Sequence, residues 1–216
     1  MKKKKVIIPI VILLVIAVIG VVAFFLLNNC KEYNPSESGF YMKQDGSIVG
    51  ATIEKFDKDS YSLEDLTSYV EQEVSQFNNE QVGDSRAYLD EDKEGDSLPV
   101  SIQSLDLKGE NAVLMLSYKD ADTYREFNEN EGLVSDLSFS KVGDTTGITS
   151  RTFKNMQGNT VKGSALDSND YVIKIKGKIA LECEGNVVYY SSGVSVNDEK
   201  ISVDSENETA YIIFEK

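Results

Sequence analysis

The chain has 216 residues, 22 of them basic and 36 acidic, and it contains no histidine. The missing imidazole removes the usual general base, the usual proton shuttle and the commonest metal ligand, and two cysteines are too few for a zinc site or a disulfide framework within one chain. A formal net charge of −14 repels phosphate backbones and argues against nucleic acid as a partner.

Charge and hydropathy divide the chain near its start. Lys2, Lys3, Lys4 and Lys5 precede an uncharged run from Val6 to Leu27 that only Pro9 and Gly20 interrupt. At 1.5 Å per residue the run makes a helix of about 33 Å, enough to cross a hydrocarbon core of about 30 Å. Pro9 falls in the first turn, where a missing amide costs little. The lysines place the amino terminus in the cytoplasm, so everything after Leu27 is expected outside. The sequence thus divides into a basic segment 1–5, a transmembrane or signal-anchor helix 6–27, a tether 28–38 and an extracytoplasmic domain 39–216, with 39–131 and 132–216 as candidate substructures.

Cys30 gives the anchor a second reading. Leu27 stands three residues before it, as in a bacterial lipoprotein signal, whereas Asn29 occupies the position where that signal has a small residue. The apolar run also exceeds the roughly 7 to 15 residues of a cleaved signal. A retained helix is favoured, with a lipidated Cys30 as the alternative. Either way, the body beyond the anchor has about 18 basic residues against its 36 acids once the four lysines are set aside, a composition that keeps a domain soluble and suits cationic partners or divalent ions.

Beyond the tether, FYMKQDGSIVGATIEKF carries Asp45 and Gly46 between two β-branched stretches, the signature of a β-hairpin with strands at about 40–43 and 47–56. Ser62 followed by Asp65 forms a capping-box variant, and Leu63, Leu66, Tyr69, Val70, Val74 and Phe77 recur at helical spacing, which predicts a helix packed by one face. Residues 79–99 read as a long acidic loop. VSIQSLDL and AVLMLSY flank a turn at 108–111 and predict a second hairpin, followed by a short helix capped by Asp120 or Asp122 and ending by Gly132. Residues 133–168 give no clear pattern. From Tyr171 onwards, short β-branched runs separated by Gly, Asn and Asp predict four or five strands. The fold class expected is α+β, with a mainly antiparallel sheet and one or two helices beside the amino-terminal anchor. A hairpin followed by a helix occurs at 40–78 and again at 100–131, with too little identity to read as duplication.

Candidate chemistry is sparse. In DEDKEGD, residues Asp90, Asp92, Glu94 and Gly95 match positions 1, 3, 5 and 6 of a calcium loop, where closely spaced oxygens and a glycine turn wrap a hard cation. Position 12, which requires a bidentate glutamate, falls on Ser101, and no helix pattern flanks the loop, so a solvated acidic loop is the simpler reading. Asp204, Glu206 and Glu208 form a second acidic cluster that a hairpin turn explains. Ser138 and Lys141 have the Ser-x-x-Lys spacing that a helical turn uses to bring an amine to a hydroxyl, but no KTG element follows and Phe139 between two serines reads as strand. Asn207, Glu208 and Thr209 spell a glycosylation acceptor, read as coincidence. Cys183, in a strand-like IALECEG, reads as a small buried hydrophobe. There is no phosphate loop and no dinucleotide fingerprint, and no cofactor is expected.

MKQDGSIVGATIEKFDKDSYSLEDLTSYVEQEV, VLMLSYKDADTYREFN, VIKIKGKIALECEGNVVYYSSGVSV and ETAYIIFEK resemble uncharacterised surface lipoproteins of anaerobic, gut-dwelling clostridia. That resemblance implies an exported, anchored α+β domain and brings no activity with it. The expectation is a non-enzymatic domain on the outer face of a bacterial cell membrane, attached through residues 6–27, that serves envelope binding, assembly or sensing with an envelope or protein partner. The alternative is a carboxylate-dependent cell-envelope hydrolase.

Overall fold

A computed structural model of the protein describes residues 33–56, 62–90 and 92–215. The apolar run 6–27 and Cys30 lie outside them, and among the described residues no helix is long and apolar enough to cross a membrane. Residues 35–216 form one compact α+β unit.

The first hairpin joins β1 (Gly39–Met42) to β2 (Ile48–Lys55). Asp45 holds its turn, its carboxylate accepting hydrogen bonds from the backbone N–H and hydroxyl of Ser47 at 2.9 and 2.7 Å. The second joins β3 (Val100–Lys108) to β4 (Asn111–Tyr118), and β4 pairs with β2, so the two hairpins form one antiparallel meander. Helix α1 (Leu63–Val82) follows β2, and helix α2 (Ala121–Phe127) follows β4. Both start at the caps read from sequence: Ser62 and Asp65 complete a reciprocal capping box, and the Asp120 carboxylate accepts from Thr123 N–H.

Helix α1 runs further into the predicted loop than its spacing suggested, ending at Gly83, and it buries a narrower face. Val70, Val74 and Asn78, each four residues from the next, are buried, while Tyr69 is 61% exposed. Its spacing alone places Tyr69 on the core stripe. The helix packs chiefly against β3, so residues rotated away from that line of contact, Tyr69 among them, face solvent.

Seven further strands complete the sheet: β5 (Val134–Lys141), β6 (Thr152–Asn155), β7 (Thr160–Lys162), β8 (Tyr171–Cys183), β9 (Asn186–Tyr190), β10 (Val194–Asn197) and β11 (Lys200–Glu215). The order is β3-β4-β2-β1-β8-β11-β9-β6-β7, with β5 also on β8 and β10 also on β11. All pairings are antiparallel except that of β1 with β8. The long β8–β11 ribbon organises the whole. Its β8 edge pairs with β5 up to Gly177 and with β1 from Ala180, and its β11 edge pairs with β10 over Val194–Asn197 and with β9 near Ile212.

The closing stretch, which reads as two strands with a turn at the acidic cluster, is one strand with a bulge. Between Ser205 and Ala210 the partners on β8 move only from Gly177 to Ile175, and the Ser205 hydroxyl donates to Glu208 C=O at 2.7 Å. The bulge inserts an odd number of residues, and this is what the sequence needs. Ile201 and Val203 face the large core at odd positions, and Ala210, Ile212 and Phe214 face it at even ones, so only a parity shift keeps both sets inside.

The other face of this ribbon carries Val172, Tyr211 and Ile213, covered by Val142, Ile148 and Phe153. Segment 142–166, which gave no sequence pattern, is thus the lid of a second small core, with the Arg151 guanidinium 4.5 Å above the Tyr211 ring. Burial on both faces explains the continuous apolar runs around Ile173 and Ile213. Cys183 is buried at the end of β8 in the large core, as expected of it.

Candidate functional site

The sheet opens where β1 begins. At Gly39 the strand is paired with Ala51 on one side and Ala180 on the other; beyond that point β2 continues along β4 and β8 continues along β5. The two diverge around a cleft of about 720 Å³. Ser38 holds one wall, accepting from Ile53 N–H at 2.9 Å and donating to Ile53 C=O at 3.2 Å.

Small residues and two tyrosines line the interior. Gly50 leaves the room the rings need, since a Cβ there would lie 2.8 Å from Tyr118 Cε2. Tyr118 and Tyr124 meet edge to face at 4.9 Å, and Tyr124 leans on Phe40 at 5.1 Å. Burial pushes the Tyr118 phenol well above its ordinary value, so it is a neutral hydroxyl at physiological pH. Asn128, at the end of α2, donates to Tyr124 C=O at 2.7 Å and fixes the cleft's inner corner.

The charge lies in the lining. Glu37, Glu54, Glu131 and Asp204 are carboxylates of the cleft, and Lys178 is the one basic residue among its described lining residues. Lys178 Nζ lies 3.7 Å from Asp204, and Lys200 lies 3.8 Å from Glu37, both exposed pairs of small energetic worth. Glu131 is different: partial loss of hydration, and secondarily the nearby Glu54 charge, hold its carboxyl above the usual carboxylate range. A carboxyl with a raised folded value disfavours the folded state once it ionises, so stability falls as pH rises through that value. Glu131→Gln removes the penalty, and its melting temperature should exceed that of the native chain at pH 7, with the difference vanishing near pH 4; calorimetry at the two pH values checks this.

A second groove, of about 490 Å³, runs between α1, β4 and α2. Phe77 and Phe127, edge to face at 5.2 Å, belong to its floor, and the exposed Tyr69 stands on its wall. Glu73, Glu80 and Glu126 line it, and it shares Leu114, Leu116, Asn128 and Glu131 with the cleft.

Asp90, Asp92 and Glu94 line neither groove. Asp90 and Asp92 form a local turn, the Asp90 carboxylate accepting from Asp92 N–H at 3.1 Å. The loop is organised by Arg86 instead, whose guanidinium donates to Asp96 at 2.7 Å and to Asp84 at 2.7 Å, while Asp96 also accepts from Asp90 N–H. These bonds hold the Asp84 and Asp96 carboxyls below their ordinary range, chiefly through Arg86. Among the described residues no three carboxylates or thiols are grouped to hold a metal ion. Ser138 and Lys141 lie on β5, where alternation sends residues three apart to opposite faces, so no amine–hydroxyl pair forms.

Of the cleft's acids, sequence reading singled out Asp204 alone, and for a turn. Glu37, Glu54 and Glu131 come from a tether, a strand end and a helical turn far apart in the chain, and nothing marks them among 36 acidic residues. No protein-family model matches the chain, and neither a curated protein nor a solved structure matches it.

Proposed function

We propose that this chain is an extracytoplasmic binding domain held at a bacterial cell membrane through residues 6–27, serving envelope binding or assembly, and that the cleft at the start of β1 is its ligand site. The observation that carries the reading is the cleft itself: a concavity at a split in the sheet, with a floor of small residues and tyrosines beneath a carboxylate rim. The basic cluster before the apolar run supports the outside placement, and the anchor is the retained helix, with diacylated Cys30 as the alternative. Protease added to intact protoplasts should remove the domain, and mass spectrometry of the membrane-extracted chain should find Met1 retained. Protection of the domain would end the reading.

Glu131 near Glu54 supports a second reading, a carboxylate-dependent envelope hydrolase in which Glu131, its carboxyl raised chiefly by lost hydration, serves as acid and Glu54 as base. The two separate on one experiment. Solubilised envelope material passed over immobilised full-length chain should leave a component retained unchanged, and a cleft-filling Ser202→Phe variant should not retain it. Chemical conversion of that material, abolished by Glu131→Gln, would install the hydrolase in its place.

A further inference from the structure

The cleft and the groove between the two helices meet. Leu114, Leu116, Asn128 and Glu131 line both, so the two hollows adjoin along these four residues. Resting on the reading of the cleft as a ligand site, we infer that the two form one track for an extended polypeptide segment bearing lysine or arginine at intervals.

Three features select that occupant. Acids run the whole length, Glu37, Glu54 and Asp204 at one end, Glu131 at the junction, and Glu73, Glu80 and Glu126 at the other; among the described lining residues Lys178 is the one base, engaged with Asp204, and Lys200 stands beside Glu37. An anionic chain is repelled throughout. Between the acids the floor is apolar, formed by Leu114, Leu116, Phe77 and Phe127, with Tyr69 61% exposed at the wall. A lysine or arginine matches both, because its aliphatic stem lies on apolar surface while its head reaches a carboxylate, and neighbouring small apolar residues fill the spaces.

The junction adds a driving force. Glu131 and Glu54 repel one another in the unliganded chain, and a cationic head between them replaces that repulsion by attraction at both. The length of the track separates a polypeptide from a small amine. A polyamine satisfies carboxylates but leaves the apolar floor of the α1–α2 groove uncovered, whereas a peptide covers it.

Fluorescence anisotropy with the full-length chain in nonionic detergent tests the inference. The probe is a fluorescein-labelled nonapeptide alternating lysine with alanine, with its glutamate counterpart and labelled spermine as the other arms. The lysine peptide should bind and the glutamate peptide should not. Glu54→Gln with Glu131→Gln should weaken binding by about tenfold or more, and Glu73→Gln with Glu126→Gln by about threefold or more, as expected for losing charge-assisted contacts at each end. Asp144→Asn with Asp198→Asn removes the same charge from exposed positions that line neither groove and should change affinity less than about twofold.

Equal weakening by all three pairs would mean attraction to the acidic body as a whole, and would overturn both the track and the cleft as a site. Spermine binding as tightly as the peptide, sensitive to the cleft pair and insensitive to the groove pair, would overturn the track and leave the cleft standing. Absence of binding by the lysine peptide overturns the inference, and the envelope-retention experiment then decides the cleft alone. Unchanged melting of each Gln pair at pH 4 distinguishes lost contacts from lost fold.

Discussion

Replacing Asn78 by alanine should destabilise the domain by about 3 kcal/mol or more, whereas the same change at its neighbour Asn79 should cost less than about 0.5 kcal/mol. Asn78 is fully buried in the last turns of α1. Its amide nitrogen donates to Arg86 C=O and to Val100 C=O, both at 2.8 Å, and its amide oxygen accepts from Val100 N–H at 3.0 Å. One side chain therefore staples the helix to the first residue of β3 and to the acidic loop. Alanine leaves three backbone groups without this partner, two of them in fully buried bonds, and each carries a desolvation cost of about 1 kcal/mol or more. For a domain of this size the melting temperature should fall by roughly 6–12 °C. Asn79 is exposed, its side-chain oxygen accepting from the Ser85 hydroxyl at 3.2 Å. Equal effects at the two positions, read by thermal melts monitored by circular dichroism, would show that the staple contributes nothing of its own.

The second large effect is expected at Gly177. A Cβ there would lie 2.2 Å from Leu133 O and 2.9 Å from Val134 Cα, both backbone atoms that cannot rotate aside. Leu133 C=O also accepts from Lys178 N–H at 3.0 Å, so β5 cannot withdraw without breaking the contact that starts its ladder. Gly177→Ala should cost about 3 kcal/mol, combining overpacking with lost hydrogen bonds. Amide exchange should quicken first along β5, and melting temperature unchanged from the native chain would contradict the close approach.

Elements defined by local rules were legible in the sequence. The two hairpins, the caps at Ser62 and Asp120 and the strands after Tyr171 follow from turn chemistry, side-chain capping and β-branched runs, all short-range causes. What escaped depends on partners remote in the chain. Asn78 sits in an Asn-Asn pair that reads as the fraying end of a helix, because the carbonyls it serves lie in Arg86 and Val100. The bulge of β11 reads as a turn because acids cluster there, and only the register with β8 shows that the strand continues. Segment 142–166 has no periodicity because it covers a sheet face with single 3-10 turns and the short strands β6 and β7, none long enough to show a repeat. The cleft was illegible for the same reason: its acids are brought together by the ending of β1, a matter of pairing and not of spacing.

The sharing of β11 between the two ends of the sheet governs when the chain can fold. Residues 201–205 and 210–214 each pair with a different portion of β8, whose other edge takes β1 at one end and β5 at the other. A chain growing from its amino terminus can pair β1 with β2 and β3 with β4 early, but the second edge of β1 is filled only by β8, and β8 is completed only by the segment that follows it. Completion of the sheet thus waits for residues 200–215, whose pairing with β8 closes both ends together.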